Sequence, residues 1–371
     1  MKLSENERAF FALVRAGLWE HDAWLLLFNN IDFNEVFRLA QEQSVVGLVA
    51  AGVEHVRDVN VPMKYRHTFI GNVLLLEQRN KAMNDFISSI IYKMRKADIY
   101  AVLVKGQGTA LCYERPLWRD SGDIDLFLSE YNYQAAKEFL KPLASHVYGE
   151  NKKRLHIGMI IDSWVVELHG TMHSDYSLRV NKGLDVVQNR IFDGKVRNWI
   201  DNGVNVFLPS ADNDVIIIFS HILQHFFVEG IGLRQICDWC RLIWTYHMEI
   251  DVKLLEKQLK SMGLMSEWKS FAALAVDYLG LPVNVMPCYN SSKRWHRKGH
   301  KIMALILDTG NFGHSRDMSY KQKDVFVVRL AKSFMRRNKD TFHHFLIFPL
   351  DAMRMWVKML FMGIGVAVKG K

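Results

Sequence analysis

The spacing of apolar residues predicts that the chain begins in helices. Apolar side chains at positions 10, 11, 14 and 18 recur at helical spacing, and a longer periodic stretch runs from 64 to about 96. This stretch has no Gly or Pro after Gly71, so the pattern predicts either one long helix or two helices broken near Gly71. We therefore expect a helical region over residues 1–97.

Between residues 98 and 208 the pattern changes to short runs rich in β-forming residues. One run covers 99–104, and a second, 123–128, alternates apolar and polar positions. Two further runs, 155–161 and 164–169, flank Asp162-Ser163 and predict a β-hairpin. The remaining elements expected in this α/β module are helices at 107–113 and 132–143 and a strand at 204–208.

Helical periodicity returns from residue 212 onward. The predicted helices are 212–229, 232–247, 251–262, 266–279, 323–337 and 344–360, and 283–317 is predicted to be an irregular basic connection with some helix near 298–308. The fold class that follows is α+β, with a small mixed β-sheet core between helical segments. Four regions are predicted to pack as one compact unit: an N-terminal helical region (1–97), an α/β core (98–208), a helical region that completes a cleft (209–282) and a basic helical C-terminal region (283–371).

The composition excludes a disordered or collagen-like chain. Hydrophobic residues make up 49% of the 371 residues and aromatic residues 12%, which is enough to form a sizeable core. Four cysteines are too few for a disulfide scaffold, and the N-terminus has no apolar signal segment. We therefore expect a reducing, cytoplasmic location.

The net charge of +9 is concentrated near the C-terminus. Residues 290–371 carry 17 Lys and Arg against 5 Asp and Glu, a balance of +12, whereas the rest of the chain is slightly acidic at −3. The longest uncharged run there, 359–368, is shorter than the roughly 20 residues that span a bilayer. Two interpretations are open: a solvated face over core helices, or peripheral docking on an anionic membrane surface or, as a less favoured partner, on nucleic acid.

Three carboxylates in the α/β module are predicted to converge. Asp123 and Asp125 point to one face of their strand because side chains alternate, and Glu167 shares a face with His169 on another strand. If these strands are neighbours, the carboxylates repel one another unless cations neutralise them. Mg²⁺ suits oxygen ligands and phosphate, and two such ions can activate an attacking oxygen and hold a leaving group. The alternative is an Asp-x-Asp that forms only a solvated turn.

A glycine turn lies upstream of these carboxylates. Gly106 follows a predicted strand and precedes a short helix, and this arrangement lets the backbone approach a phosphate. Lys105 and Arg119 could neutralise phosphate charge. The structural alternatives are an exposed lysine at a strand end and an arginine that pairs with Asp120 or Asp123.

This order of motifs resembles the DNA-polymerase-β-like nucleotidyltransferase superfamily, and especially its uncharacterised bacterial branch. The segments that match are Leu103–Gly106, Arg119 with Asp123-Ile-Asp125, Val166–His169 and the helical block from His221 to Asp238. The resemblance implies transfer of a nucleoside monophosphate from an NTP to an unknown acceptor, which could be a small molecule, a sugar or a protein. It also implies two Mg²⁺ (or Mn²⁺) ions, release of pyrophosphate and a setting such as bacterial surface-polysaccharide biosynthesis. A peripheral location at the inner membrane surface is an interpretation of the basic C-terminal region alone.

The resemblance also implies roles for individual residues. Asp123, Asp125 and Glu167 would be catalytic metal ligands, and the nucleotide-binding set would be Lys105, Gly106, Gln107, Arg119, His169, His225, Arg234 and Asp238. Gln107 stands where the superfamily usually has Ser or Gly. This difference motivates a rival hypothesis, in which the protein is a catalytically inactive relative that binds a nucleotide or a partner, with the membrane surface as one site of action.

Three other motifs have alternative interpretations. His221 and His225 have the spacing of a zinc protease but lack its glutamate, which favours packed or hydrogen-bonded helix histidines. Cys237 and Cys240 have redox spacing inside a helical pattern, which favours buried thiols. The Gly-x-Gly at 106–108 lacks the third small residue of a dinucleotide fingerprint because Leu111 occupies that position.

Overall fold

The computed structural model describes residues 3–313 and 326–369. Four helices come first, and the last of them, of 34 residues, continues without a break through Gly71, whose Cα faces open space. Of the two sequence alternatives, the single long helix is therefore the one formed. The helices are α1 (Glu5–Trp19), α2 (Phe33–Glu42), α3 (Val46–Glu54) and α4 (Met63–Lys96).

A seven-stranded mixed sheet with the strand order β3-β4-β5-β2-β1-β7-β6 forms the middle of the protein. The central strand β2 pairs antiparallel with β1 and parallel with β5, and β1 pairs parallel with β7. An α+β fold with a mixed sheet between helical segments is thereby confirmed. The strands are β1 (Val102–Val104), β2 (Asp123–Phe127), β3 (His146–Val147), β4 (His156–Ile161), β5 (Trp164–His169), β6 (Val196–Asp201) and β7 (Val204–Pro209).

The predicted hairpin forms around Asp162-Ser163, and both of these residues adopt positive φ, as a two-residue turn requires. The strand predicted over 99–104 is shorter than expected. Ile99 donates its backbone N–H to Met94 in the last turn of α4, and Asp98 takes a φ of 58° to reverse the chain. The backbone of Ile99 is therefore bonded to the end of α4, and the strand begins only at Val102.

The described residues contain ten further α-helices. Within the predicted irregular connection 283–317, the structure forms a 17-residue helix, Lys293–Thr309, and residues 314–325, with the predicted start of the next helix, lie outside the described part. The helices are α5 (Gly106–Ala110), α6 (Glu130–Leu140), α7 (Leu178–Phe192), α8 (Ala211–Val228), α9 (Leu233–Tyr246), α10 (Val252–Met262), α11 (Met265–Leu279), α12 (Lys293–Thr309), α13 (Phe326–Phe345) and α14 (Pro349–Lys369). Across the described ranges, no helix has the length and apolar character needed to cross a membrane.

The two faces of the sheet have different surroundings. Apolar side chains of one face, including Leu103, Ile124 and Val166, are buried against α4 and α6. The opposite face carries Asp123, Asp125 and Glu167, because side chains alternate along β2 and β5. These three carboxylates therefore lie on the face of the sheet that is opposite α4.

The N-terminal helix is part of the main core. Gly17 and Gly52 let α1 and α3 approach closely, since a Cβ on Gly52 would lie 2.0 Å from the Leu13 carbonyl oxygen. The indole of Trp19 donates to the carbonyl of Leu279, at the end of α11, at 2.6 Å. One buried apolar cluster accordingly extends from Ala9 to Phe348.

A buried acid joins the C-terminal helices to this core. Glu267 on α11 is 4% exposed and lies beside Asp351 on α14. Burial, reinforced by the charge of Asp351, raises the pKa of Glu267 to about 8. Because the folded state disfavours the ionised carboxylate, stability conferred by the protonated form is lost as the pH rises from about 4.5 to about 8.

Replacing Glu267 with Gln should therefore stabilise the protein at alkaline pH. We compare the unfolding free energy of E267Q with that of the unchanged protein at pH 5 and at pH 9. The advantage of E267Q is expected to be larger at pH 9 than at pH 5 by more than ~1 kcal/mol. Urea denaturation at both pH values measures this gain, and exposed Glu249→Gln is the control. An equal effect of E267Q at both pH values would contradict the expectation.

Candidate functional site

The pairing of β2 with β5 brings the predicted carboxylates together. Asp125 lies directly opposite Glu167 in this parallel register, and Asp123 lies two residues earlier on the same face. One oxygen from each of the three carboxylates lies within 4.8 Å of the others. All donors of this group are oxygens, which Mg²⁺ prefers, and they lie close enough together to contact one divalent cation. These residues therefore fit a metal site.

Cationic and hydrogen-bonding groups surround these carboxylates. The ammonium of Lys105 lies 3.1 Å from Asp125 Oδ1, and the Nε2 atom of His169 lies 2.7 Å from the same oxygen. The Nε2 atom of His156 lies 3.1 Å from Glu167 Oε2. Lys105 and the histidines thus offset part of the repulsion within the acidic group.

The surroundings move the three carboxyl pKa values apart. The neighbouring charge of Asp125, together with burial, raises the pKa of Asp123. Burial alone would raise the pKa of Asp125, but Lys105 and His169 lower it below its usual range. Hydrogen bonds from His156 and His169 outweigh burial and lower the pKa of Glu167 strongly. Asp125 and Glu167 are therefore ionised at neutral pH.

The turn after β1 places Lys105 beside Asp125. Lys105 and Gly106 both have positive φ, 58° and 44°, and Val104 pairs directly with Asp125. This left-handed backbone is strained for lysine, so the turn is held by its surroundings. A Cβ on Gly106 would lie 3.4 Å from the Asp123 carbonyl oxygen, which shows how closely the turn approaches β2.

The carboxylates open into a cleft of about 780 Å³ between the sheet and α8. Among the residues that line it are His169, His221, His225 and Arg234. The His221 and His225 rings lie 4.3 Å apart, and burial, followed by the charge of Lys105, lowers the pKa of His221 well below its usual range. Both histidines of the helical pair therefore belong to the cleft wall.

Arg119 and Asp238 form a buried ion pair. The guanidinium donates through Nε and Nη2 to both Asp238 oxygens, at 2.9 and 2.7 Å, and the Tyr113 hydroxyl donates to Asp238 Oδ1 at 2.8 Å. Of the two structural partners that the sequence suggested for Arg119, Asp120 accepts a hydrogen bond from Nη1 only through its backbone carbonyl, at 3.1 Å. The carboxylate that pairs with Arg119 is Asp238 and not Asp120 or Asp123. Arg119 and Asp238 border the cleft, but their charged groups are directed at each other.

The Gln107 side chain does not reach the cleft. It is 3% exposed, and its amide donates to Asn80 Oδ1 at 2.8 Å. Asn80 in turn donates to the backbone carbonyls of Leu117 and Arg119, at 2.7 and 2.8 Å. The implied contact between the Gln107 side chain and a nucleotide is therefore replaced by a link that holds the Arg119 segment against α4.

Arg234 has donor capacity left at the cleft wall. Its Nη1 atom donates to the Asp120 carbonyl at 2.8 Å, whereas its buried Nε atom has no hydrogen-bond partner among the described residues. Burial, and next the charge of Arg119, lowers its pKa. A buried guanidinium with an unused donor is suited to an anionic group of a ligand.

Among the cleft residues that the sequence interpretation missed are Arg154 and His156. The register of the predicted hairpin could have identified His156, because a two-residue turn at Asp162-Ser163 places it opposite His169. Arg154 lies outside the strands, and no spacing signal marked it. Cys237 and Cys240 are buried free thiols in α9, as expected.

A family model described as uncharacterised nucleotidyltransferase matches residues 29–280. The chain belongs to this family of uncharacterised nucleotidyltransferases. The matched range contains every residue of the carboxylate group and of the cleft wall named above, and membership implies an NTP as substrate. No curated protein and no solved structure matches the chain.

Breaking the Arg119–Asp238 pair should destabilise this nucleotidyltransferase. Asp238→Asn leaves a buried guanidinium without its charge partner, and we expect a loss of about 3 kcal/mol in unfolding free energy. Asp22→Asn breaks the exposed Asp22–Arg57 pair and is the control, with an expected loss under ~1 kcal/mol. Urea denaturation compares the two; similar losses would show that the buried pair has no special structural weight.

Proposed function

We propose that the protein is a Mg²⁺-dependent nucleotidyltransferase of the DNA-polymerase-β-like type. The reaction transfers a nucleoside monophosphate from an NTP to an acceptor hydroxyl and releases pyrophosphate. The observation that carries the proposal is the convergence of Asp123, Asp125 and Glu167 at one point of an open cleft. The order of elements supports the same type: a strand, a glycine turn, an Asp-x-Asp strand and a third carboxylate on the parallel neighbour.

The three carboxylates would hold two divalent cations, which would supply charge neutralisation at the triphosphate and activation of the acceptor hydroxyl. Glu167 acts as a ligand and not as the general base. Its hydrogen bonds from His156 and His169 lower its pKa so far that it is a poor proton acceptor near neutral pH. Asp123, whose pKa is raised, is the carboxylate that gains most from a bound cation.

Positive groups of the cleft wall bind the phosphates. Lys105 is paired with Asp125 and lies beside the place where the triphosphate would sit, and Arg234 offers its unused Nε donor from α9. Arg119 contributes indirectly, because its pair with Asp238 fixes the loop that precedes Asp123. His225 and His169 also line the cleft, and their role there does not depend on a positive charge.

The rival proposal of an inactive relative started from Gln107. Gln107 was unusual for the superfamily, but its side chain is buried against Asn80 and leaves the cleft unobstructed. The Gln107 side chain therefore does not block a nucleotide, and it also offers the nucleotide no contact.

The reaction is tested by pyrophosphate release from the four NTPs, with cell extract as the source of acceptor. Asp125→Asn is expected to lower the Mg²⁺-dependent rate roughly 10²-fold or more, the scale of losing one electrostatic stabiliser of the transition state. The matched control is Asp162→Asn, at the exposed hairpin turn where Asn tolerates positive φ.

Equal, metal-independent behaviour of the unchanged protein and Asp125→Asn would contradict the proposed reaction. Stabilisation of the fold by NTP without any turnover would instead support the inactive relative. Measuring thermal denaturation of the same samples alongside the rate of pyrophosphate release distinguishes these two outcomes.

We further propose that the C-terminal helical hairpin attaches the enzyme to an anionic membrane surface. Large apolar side chains of α13 and α14 are exposed, including Phe342, Leu350 and Phe361 at 62%, 73% and 72%. These two helices carry eight Lys and Arg against two Asp and Glu, which is half of the +12 balance of residues 290–371. Exposed apolar groups among basic ones suit a surface that offers both acyl chains and negative headgroups.

Flotation with vesicles tests this attachment. The protein should float with phosphatidylglycerol-containing vesicles, and the triple variant Phe342→Ser, Leu350→Ser and Phe361→Ser should reduce the floating fraction several-fold. Tyr131→Ser removes an equally exposed aromatic from α6 and is the control. Equal flotation of the triple variant and the control would reject the hairpin as the anchor.

A further inference from the structure

We propose that His156, Glu167 and His169 form a second metal site, which binds a divalent transition cation such as Zn²⁺, Mn²⁺ or Co²⁺. Two imidazole nitrogens and one carboxylate oxygen of these residues lie within 4.8 Å of one another. The binding of the cation stands independently of the proposed reaction, whereas any part that it plays in nucleotidyl transfer rests on that proposed function.

The hairpin positions all three donors. His156 lies directly opposite His169 in the β4–β5 register, so both rings are on one face of the sheet, with their centroids 4.7 Å apart. Glu167 lies two residues before His169 and shares that face. Its Oε2 atom is 3.1 Å from His156 Nε2 and 3.5 Å from His169 Nε2. The same nitrogen of each ring therefore faces the same oxygen.

The donor chemistry differs from that of the neighbouring carboxylates. The group of Asp123, Asp125 and Glu167 offers only oxygens, which suit Mg²⁺, and Lys105 already offsets part of its charge. The histidine group offers two nitrogens, which favour transition cations. Two histidines and one carboxylate also leave coordination positions for water or a substrate oxygen. The site faces the cleft, since all three residues line it.

Glu167 belongs to both groups, so the two sites adjoin through one carboxylate. A cation on the histidine side would draw on the same ligand as a Mg²⁺ ion on the aspartate side. The structure thus points to a mixed centre, in which one position prefers oxygen ligands and the other prefers nitrogen. The competing account is that the histidines only donate hydrogen bonds to Asp125 and Glu167 and bind no metal.

Titration with Co²⁺ separates these accounts, because imidazole-ligated Co²⁺ has visible absorption bands that report its ligands. The unchanged protein should show such bands. His156→Gln keeps a hydrogen-bond donor of similar reach but loses the ring nitrogen, and it should weaken Co²⁺ binding about tenfold or more. The control is His146→Gln, on the exposed strand β3. Excess Zn²⁺ should abolish the bands, whereas millimolar Mg²⁺ should not.

The proposal is overturned if His156→Gln binds Co²⁺ with the affinity and spectrum of the unchanged protein. Its failure is distinguishable from failure of the proposed reaction. Histidine-dependent Co²⁺ bands in a protein that releases no pyrophosphate would support the metal site while the reaction fails. Mg²⁺-dependent pyrophosphate release, together with Co²⁺ bands that do not change in His156→Gln, would support the reaction and overturn the second site.

Discussion

The candidate site depends on one constraint, the parallel pairing of β2 with β5. This register sets Asp125 opposite Glu167, and a shift by one residue would move Glu167 to the apolar face that packs on α4 and α6. Buried side chains on that face, such as Ile124 and Val166, therefore fix the position of charges on the other. The core stabilises the fold and at the same time brings together carboxylates that repel one another.

Several neighbouring side chains reduce the repulsion among these carboxylates. Lys105 and His169 both contact Asp125, and His156 and His169 contact Glu167, so these two acids have polar partners while all three acids remain grouped. Arg119 takes no direct part in this compensation because Asp238 satisfies its charge. The cleft thus separates a structural ion pair at its border from an acidic centre whose three carboxylates line the cleft.

Local periodicity predicted much of the fold. Alternation along 123–128 gave the shared face of Asp123 and Asp125, and the turn at Asp162-Ser163 gave the hairpin. Contacts between distant segments could not be predicted in the same way. Arg119 pairs with a residue 119 positions away, and the direction of the Gln107 side chain depends on Asn80 from another helix. Such contacts depend on packing, which no local pattern records. The shortened first strand illustrates the same limit, because the backbone N–H of Ile99 bonds to the last turn of α4.

The bond between Trp19 and Leu279 has a consequence for how the chain is made. The two residues are separated by 260 positions, so the ribosome finishes α1 long before it supplies the end of α11. During that interval the apolar face of α1, with Phe10, Phe11 and Leu18, lacks part of its final cover. A nascent chain therefore carries an incomplete core until the whole family-matched segment has emerged, and chaperone contact during this interval would protect the exposed helix.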